Sequence, residues 1–175
     1  GTLSTVRDVF CFCCFTGLRY SDVYNLRKTD IINGKIDIVT QKDSDNIQIE
    51  LNKYSKSILD KYEDIELKNG KALPVLSNQK YNMHLKDLGK MAELDSEITE
   101  VWYEGNKRIQ QTLHKWERLT THVARKTFVV NALMLGIPPQ VIMRWTGHND
   151  LKAMRPYTQI VDKLKEDEMS KFDKI

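Results

Sequence analysis

The sequence predicts a mainly α domain of the α+β kind, with a small three-stranded antiparallel sheet set among helices. Apolar residues recur at helical spacing over 3–15, 53–64, 78–94 and 122–135. Apolar and polar residues alternate between 29 and 52. Glycine, proline or Asn-Gly pairs punctuate the borders between these stretches. A chain of 175 residues is long enough for one domain with a real core. With 41% hydrophobic and 29% charged residues, the composition is that of an ordinary soluble protein. No apolar run reaches membrane-spanning length and no signal-peptide pattern is visible, so a soluble cytoplasmic location is expected. There is no internal repeat and no low-complexity segment.

The elements follow in order. In 3–15, Val6, Val9, Phe10, Cys13 and Cys14 share a helical face, and Gly17 ends the helix. Tyr20 to Leu26 form a second, short helix, with Asp22 one turn after Arg19 on the same face. That spacing suits a carboxylate holding a guanidinium; read alone, the pair is a surface ion pair. Three strands follow at 30–32, 35–40 and 47–51. Asn33-Gly34 makes the first turn, and Lys42-Asp43-Ser44-Asp45-Asn46 the second, with Lys42 at the tip. In 53–64, Tyr54, Ile58, Leu59 and Tyr62 point inward. A loop spans 65–77 around Asn69-Gly70 and Pro74, and a helix runs from Asn78 to Leu94. From Ile98 to Gln111 the period changes, and Glu104-Gly105-Asn106 suggests a hairpin or extended arm.

Thr120-Thr121 can cap a helix from His122 to about Leu135, with Phe128, Ala132 and Leu135 on one face. Gly136 stops it. Pro138-Pro139 opens a helix to Trp145, which Gly147 stops. Asn149 or Asp150 caps a helix through about Met154. Pro156 disfavours helix at Arg155 and is expected to set Tyr157 on a separate segment. The last stretch, Val161 to Phe172, is amphipathic and highly charged.

Net charge of +3 does not by itself announce nucleic acid. Between Gly105 and Lys126 lie Lys107, Arg108, Lys115, Arg118, Arg125 and Lys126, with Glu117 the sole acid. Such a stripe can neutralise phosphates, although read alone it is a solvated surface. Cys11, Cys13 and Cys14 fall in an apolar helix and suggest buried thiols rather than a disulfide framework or zinc site. The sharper signal is a set of polar groups at element ends. Arg19 follows Gly17. His122 and Arg125 share one face at a helix N-terminus, where N–H groups and the dipole favour phosphate. His148 follows a helix stop, and Tyr157 offers a phenol. Two arginines, two histidines and a tyrosine are what cleavage of DNA through a covalent phosphotyrosine needs.

These motifs resemble the catalytic domain of the tyrosine recombinases, the phage-integrase family, particularly integrases of bacterial mobile elements. The carriers are Thr16-Gly17-Leu18-Arg19 with Asp22, Lys42 in a β-turn, His122-Val123-Ala124-Arg125-Lys126-Thr127-Phe128, Trp145-Thr146-Gly147-His148, and Tyr157. Each is weak alone, but their order matches the family over nearly the whole chain. The resemblance implies that Tyr157 is the nucleophile and that Arg19 and Arg125 clamp the phosphate. It implies that His122 and His148 hydrogen-bond that phosphate, with His122 a candidate base, and that Lys42 protonates the leaving 5′-oxygen. Asp22 would support the Arg19 region.

No cofactor or metal is expected. The implied partners are duplex DNA and further copies of the protein: a monomer without DNA, a tetramer on paired sites, in a bacterial cytoplasm on the nucleoid. The resemblance also implies that residues 1–175 are the catalytic domain, without the family's N-terminal core-binding domain. Tyr157 is expected to stand undocked until DNA binds. The Lys152–Pro156 wording and the Ile98–Gln111 insertion depart from simpler members. Rival readings are a type IB topoisomerase-like relaxing enzyme, a non-catalytic DNA-binding module on the same fold, and a helical interaction domain.

Overall fold

The computed structural model describes residues 1–42, 44–148, 150–157 and 169. Its elements are helices α1 (Thr2–Thr16) and α2 (Tyr20–Asn25), strands β1 (Ile31–Ile32), β2 (Lys35–Val39) and β3 (Asn46–Glu50), then α3 (Lys53–Asp60) and α4 (Asn78–Met91). A hairpin of β4 (Glu97–Glu104) and β5 (Lys107–His114) leads to α5 (Thr121–Met134), α6 (Pro139–Thr146) and a 3₁₀ run, Leu151–Tyr157. The amphipathic segment Val161–Phe172, Met169 apart, lies outside the described residues, as do Asn149 and Asp43.

Helix α1 is the centre of the main core. Val6, Val9, Phe12 and Cys13 are buried along it, and α3, α4 and α5 pack around it. Phe12, rather than the expected Phe10, is the fully buried aromatic of this helix. The first sheet is antiparallel in the order β1-β2-β3, with Ile36 opposite Ile49 and Ile38 opposite Ile47. Ile36, Ile47 and Ile49 are buried, so one face joins the core. A second cluster gathers Val129, Ala132 and Leu133 of α5, Ile142 of α6 and Met154, with Tyr157 packed against it.

Several expectations give way to tertiary contacts. Tyr54 is exposed and stacks on Phe15 at 4.6 Å between ring centroids, while Ile58 and Tyr62 alone of the expected face are buried. Helix α3 ends at Asp60, so Tyr62 reaches the core from the following turn. Ala132 of the expected face is buried, as are Val129 and Leu133, which the helical spacing also placed inward, while Leu135 is 78% exposed because α5 ends at Met134. The 65–77 loop contains a 3₁₀ turn, Lys68–Gly70, and buries Ala72 and Leu73. Thr120 occupies the N-cap of α5 without a side-chain cap bond. Asn82 of α4 supplies an acceptor instead, taking the Thr121 N–H at 2.9 Å.

The second hairpin is longer than the sequence suggested, with Glu97 paired to His114 and Glu104 to Lys107. It leaves Val101, Trp102 and Tyr103 exposed. The basic stripe does not survive as one surface: Arg125 is buried and Arg118 is paired with Glu100 of the hairpin. Among the described residues, no helix is long and apolar enough to cross a membrane.

Candidate active site

The site is assembled where two helices end. Gly17 closes α1 in the left-handed conformation, φ 73°, and Gly147 closes α6 likewise, φ 63°. Helix C-termini carry unpaired carbonyls and partial negative charge. Arg125 answers both: its Nη1 donates to the Gly17 carbonyl at 2.8 Å, and its Nη2 donates to the Thr146 carbonyl. The residue is 4% exposed. A buried guanidinium is tolerable here because its planar fork meets acceptors in fixed directions.

Gly17 meets two requirements. A Cβ there would lie 2.6 Å from Cδ1 of Phe128, which packs directly over the turn. Gly17→Ala combines a left-handed backbone, roughly 1–2 kcal/mol, with overpacking of about 1–3 kcal/mol. Urea denaturation is expected to show that loss of stability; a midpoint equal to wild type would contradict the close fit.

His148 has a defined tautomer. Its Nε2 faces Arg125 Nη2 at 3.1 Å, and an arginine N–H can only donate. Nε2 therefore accepts, and in the neutral ring the proton sits on Nδ1. Nδ1 lies 2.8 Å from Thr146 Oγ1, whose own hydrogen goes to the Ile142 carbonyl, also at 2.8 Å. Thr146 is fully buried and thus fixes both the arginine, through its carbonyl, and the imidazole, through its hydroxyl.

The other candidates approach from separate segments. Arg19 is half-buried and caps α2, two residues beyond the glycine whose carbonyl holds Arg125. His122 stands in the first turn of α5. Its pKa is depressed, first by partial loss of hydration, then by the charges of Lys126, Arg125 and Arg19. Both arginines thus act on this ring. Tyr157 is half-buried at the end of the 3₁₀ run. Burial raises its phenol pKa, and Arg125 pulls it back down. No hydrogen bond to the Tyr157 hydroxyl is found among the described residues, so the phenol is within Arg125's field without being clamped. Pro156 does not separate Tyr157 from the preceding turn, contrary to expectation. Proline's fixed φ suits a 3₁₀ helix and its missing N–H removes a single bond.

Lys42 is exposed on the β2–β3 turn, with no hydrogen bond or ion pair to the other five candidates among the described residues. Its turn is nonetheless anchored close by. The Gln41 N–H donates to Asp22 Oδ1 at 2.9 Å, and a Cβ on Gly147 would lie 3.7 Å from Thr40 Cγ2. Asp22 is 3% exposed, so the surface-ion-pair reading fails.

Sequence reasoning missed the roles of the Gly17 carbonyl and of Thr146. The available signal was a threonine immediately before a Gly-His helix stop. It also passed over the Cys-x-x-Cys spacing of Cys11 and Cys14, whose thiols are free. Burial raises the Cys11 pKa and pushes Cys14 up to about 12, opposite to the direction that makes thiols reactive. Among the described residues, no group of three or more His, Cys, Asp or Glu side chains is arranged to hold a metal ion.

The profile of the phage integrase family matches residues 4–163. The chain belongs to the phage integrase family. No curated protein matches it by sequence. Solved integrase and recombinase structures share its fold. XerA recombinase superposes with a TM-score of 0.65 at 16% identity, over 94% of this chain and 63% of that one. A lambda integrase dimer bound to a COC′ core site gives 0.64 at 18% identity, over 90% and 52%. The Tn1549 transposon integrase in complex with circular intermediate DNA gives 0.58 at 15%, over 88% and 53%. This integrase-family chain thus spans between about half and two thirds of the structures it matches. The helical architecture and three-stranded sheet read from the sequence are those of the family's catalytic domain.

Proposed function

We propose that this chain is the catalytic domain of a site-specific DNA recombinase that cleaves and rejoins duplex DNA through a 3′-phosphotyrosyl intermediate. The observation that carries the reading is Arg125. It hydrogen-bonds His148 and acts electrostatically on both His122 and Tyr157, residues from three separate segments. A phosphate placed at this convergence meets fixed cationic donors. In the reaction, Tyr157 Oη bonds to phosphorus, its proton leaves to His122, and the P–O5′ bond breaks. Lys42 supplies the proton that makes the 5′-hydroxyl. Arg19 and Arg125 stabilise the charge growing on the non-bridging oxygens. The link conserves the energy of the diester, so a 5′-hydroxyl can reverse the step without ATP.

His148 donates to that phosphate only after a change, because its Nε2 is the acceptor in the DNA-free site. Protonation or a tautomer switch, with release from Arg125, provides the donor. His122's depressed pKa keeps it neutral, and so competent as a base, through neutral pH. The acid limb of the cleavage rate is therefore expected below imidazole's usual value of about 6.5. Single-turnover rates from pH 5 to 8 check this; a limb centred higher would remove His122 from the role of base.

The partners in this reading are duplex DNA and further copies of the protein, which is monomeric alone and tetrameric on paired sites. The test is covalent trapping. The full-length gene product is mixed with nicked duplexes drawn from the ends of its native element, denatured, and digested for peptide mapping. A nucleotide on the Tyr157 peptide is the expected result. A nucleotide elsewhere reassigns the nucleophile, and DNA binding with no adduct leaves a non-catalytic binder.

A further inference from the structure

Asp22 is buried, yet it is poorly explained as a stabilising residue. One oxygen, Oδ1, accepts the Gln41 N–H at 2.9 Å, while Oδ2 has no hydrogen-bond partner among the described residues. A buried carboxylate with an unpaired oxygen opposes folding. The bond it does make leaves its own helix and reaches the turn that carries Lys42.

That turn is closed on itself by Thr40, which is 2% exposed. The Thr40 N–H donates to the Asp45 carbonyl at 2.8 Å, and the Ser44 N–H donates to the Thr40 carbonyl at 3.1 Å. The Asp45 N–H donates to Thr40 Oγ1 at 3.2 Å. The Gln41–Asp22 bond ties the turn to α2, the helix that Arg19 caps.

We propose that Asp22 is a positioning residue for Lys42, fixing the proton donor relative to the arginine clamp rather than steadying Arg19. This rests on the reading of Lys42 as the general acid. It predicts a defect confined to leaving-group protonation. A DNA substrate whose scissile 5′-oxygen is replaced by sulfur separates the two possibilities, because a thiolate leaves without needing a proton.

The experiment compares single-turnover adduct formation on oxygen and 5′-sulfur substrates. Asp22→Ala is expected to slow cleavage of ordinary DNA by about tenfold to a hundredfold, within the share a general acid contributes. On the sulfur substrate it should cleave at close to the wild-type rate, as should Lys42→Ala. Gln41→Pro removes the N–H and leaves the carboxylate untouched, at the first position inside a turn, where proline is accepted. It should reproduce the pattern, and it carries the test if Asp22→Ala does not fold. Asp22→Asn keeps an acceptor oxygen and should recover most of the lost rate. Arg19→Ala should be slow on both substrates.

Equal slowing of Asp22→Ala and Gln41→Pro on both substrates overturns the proposal and returns Asp22 to the arginines. No slowing of either overturns it as well. If Lys42→Ala is not rescued by sulfur, the general-acid assignment falls and this inference with it. If the wild type forms no Tyr157 adduct on either substrate, the recombinase reading itself fails.

Discussion

Tyr157→Phe is expected to abolish the protein–DNA adduct while leaving both the fold and DNA affinity in place. Deleting a covalent nucleophile removes rate on the order of 10⁴-fold or more. Affinity is set by phosphate contacts from cationic groups, which this substitution does not touch. The structure makes the stability half of the expectation sharp. The Tyr157 ring packs against the cluster around Met154 and Ile142, and no described group hydrogen-bonds its hydroxyl. Removing an oxygen with no partner leaves no orphan behind, so the change in stability should stay within about 0.5 kcal/mol. Thermal denaturation, a gel-shift titration and covalent trapping on one preparation read all three quantities. An adduct that persists would move the nucleophile elsewhere in the chain.

Arg125→Lys is expected to do the opposite and damage fold and chemistry together. The guanidinium holds the Gly17 carbonyl, the Thr146 carbonyl and His148 Nε2. An ammonium is a single point donor and cannot span acceptors on two helix ends at once. Each buried acceptor left without its donor costs about 1–3 kcal/mol. Loss of one preorganised donor to the phosphate costs about 10²–10³-fold in rate. Urea denaturation and single-turnover cleavage should therefore both fall, and Arg125→Ala should fall further. A lysine variant with wild-type stability would show that the two helix ends do not depend on this side chain.

The two substitutions separate what a catalytic group does from what holds it. Among the described residues Tyr157 is attached to the fold by apolar contacts, with no hydrogen bond to its hydroxyl. Arg125 belongs to the structure as much as to the site. A cation is stabilised where two helix C-termini converge, and the same geometry presents it to an anion from outside.

Much of this was legible in the residues. Alternation between 29 and 52 gave the sheet, because a strand with one buried face must alternate. Gly17, Gly136 and Gly147 marked the ends of α1, α5 and α6, and all three adopt positive φ. Five of the six candidate residues stood out by residue type and by their places at element ends, and Lys42 was added by the family resemblance. Five of them, Arg19, His122, Arg125, His148 and Tyr157, interact with at least one other through hydrogen bonds or charge. Among the described residues Lys42 is linked to them indirectly, through the turn that Asp22 anchors.

What the sequence determined by itself was local: which stretches are helix or strand, and where they stop. Those follow from periodicity and backbone preference over a few residues. Only the tertiary structure decided which carbonyls hold Arg125, which nitrogen of His148 bears the proton, and that Asp22 serves the Lys42 turn. It also decided that Asn82, not Thr120, satisfies the start of α5. Each of these is a directional bond between atoms distant along the chain, 108 residues apart for Arg125 and Gly17 and 19 for Gln41 and Asp22. Helical and strand periodicity report which face of an element is buried. They carry no information about which polar group on another element will be waiting there.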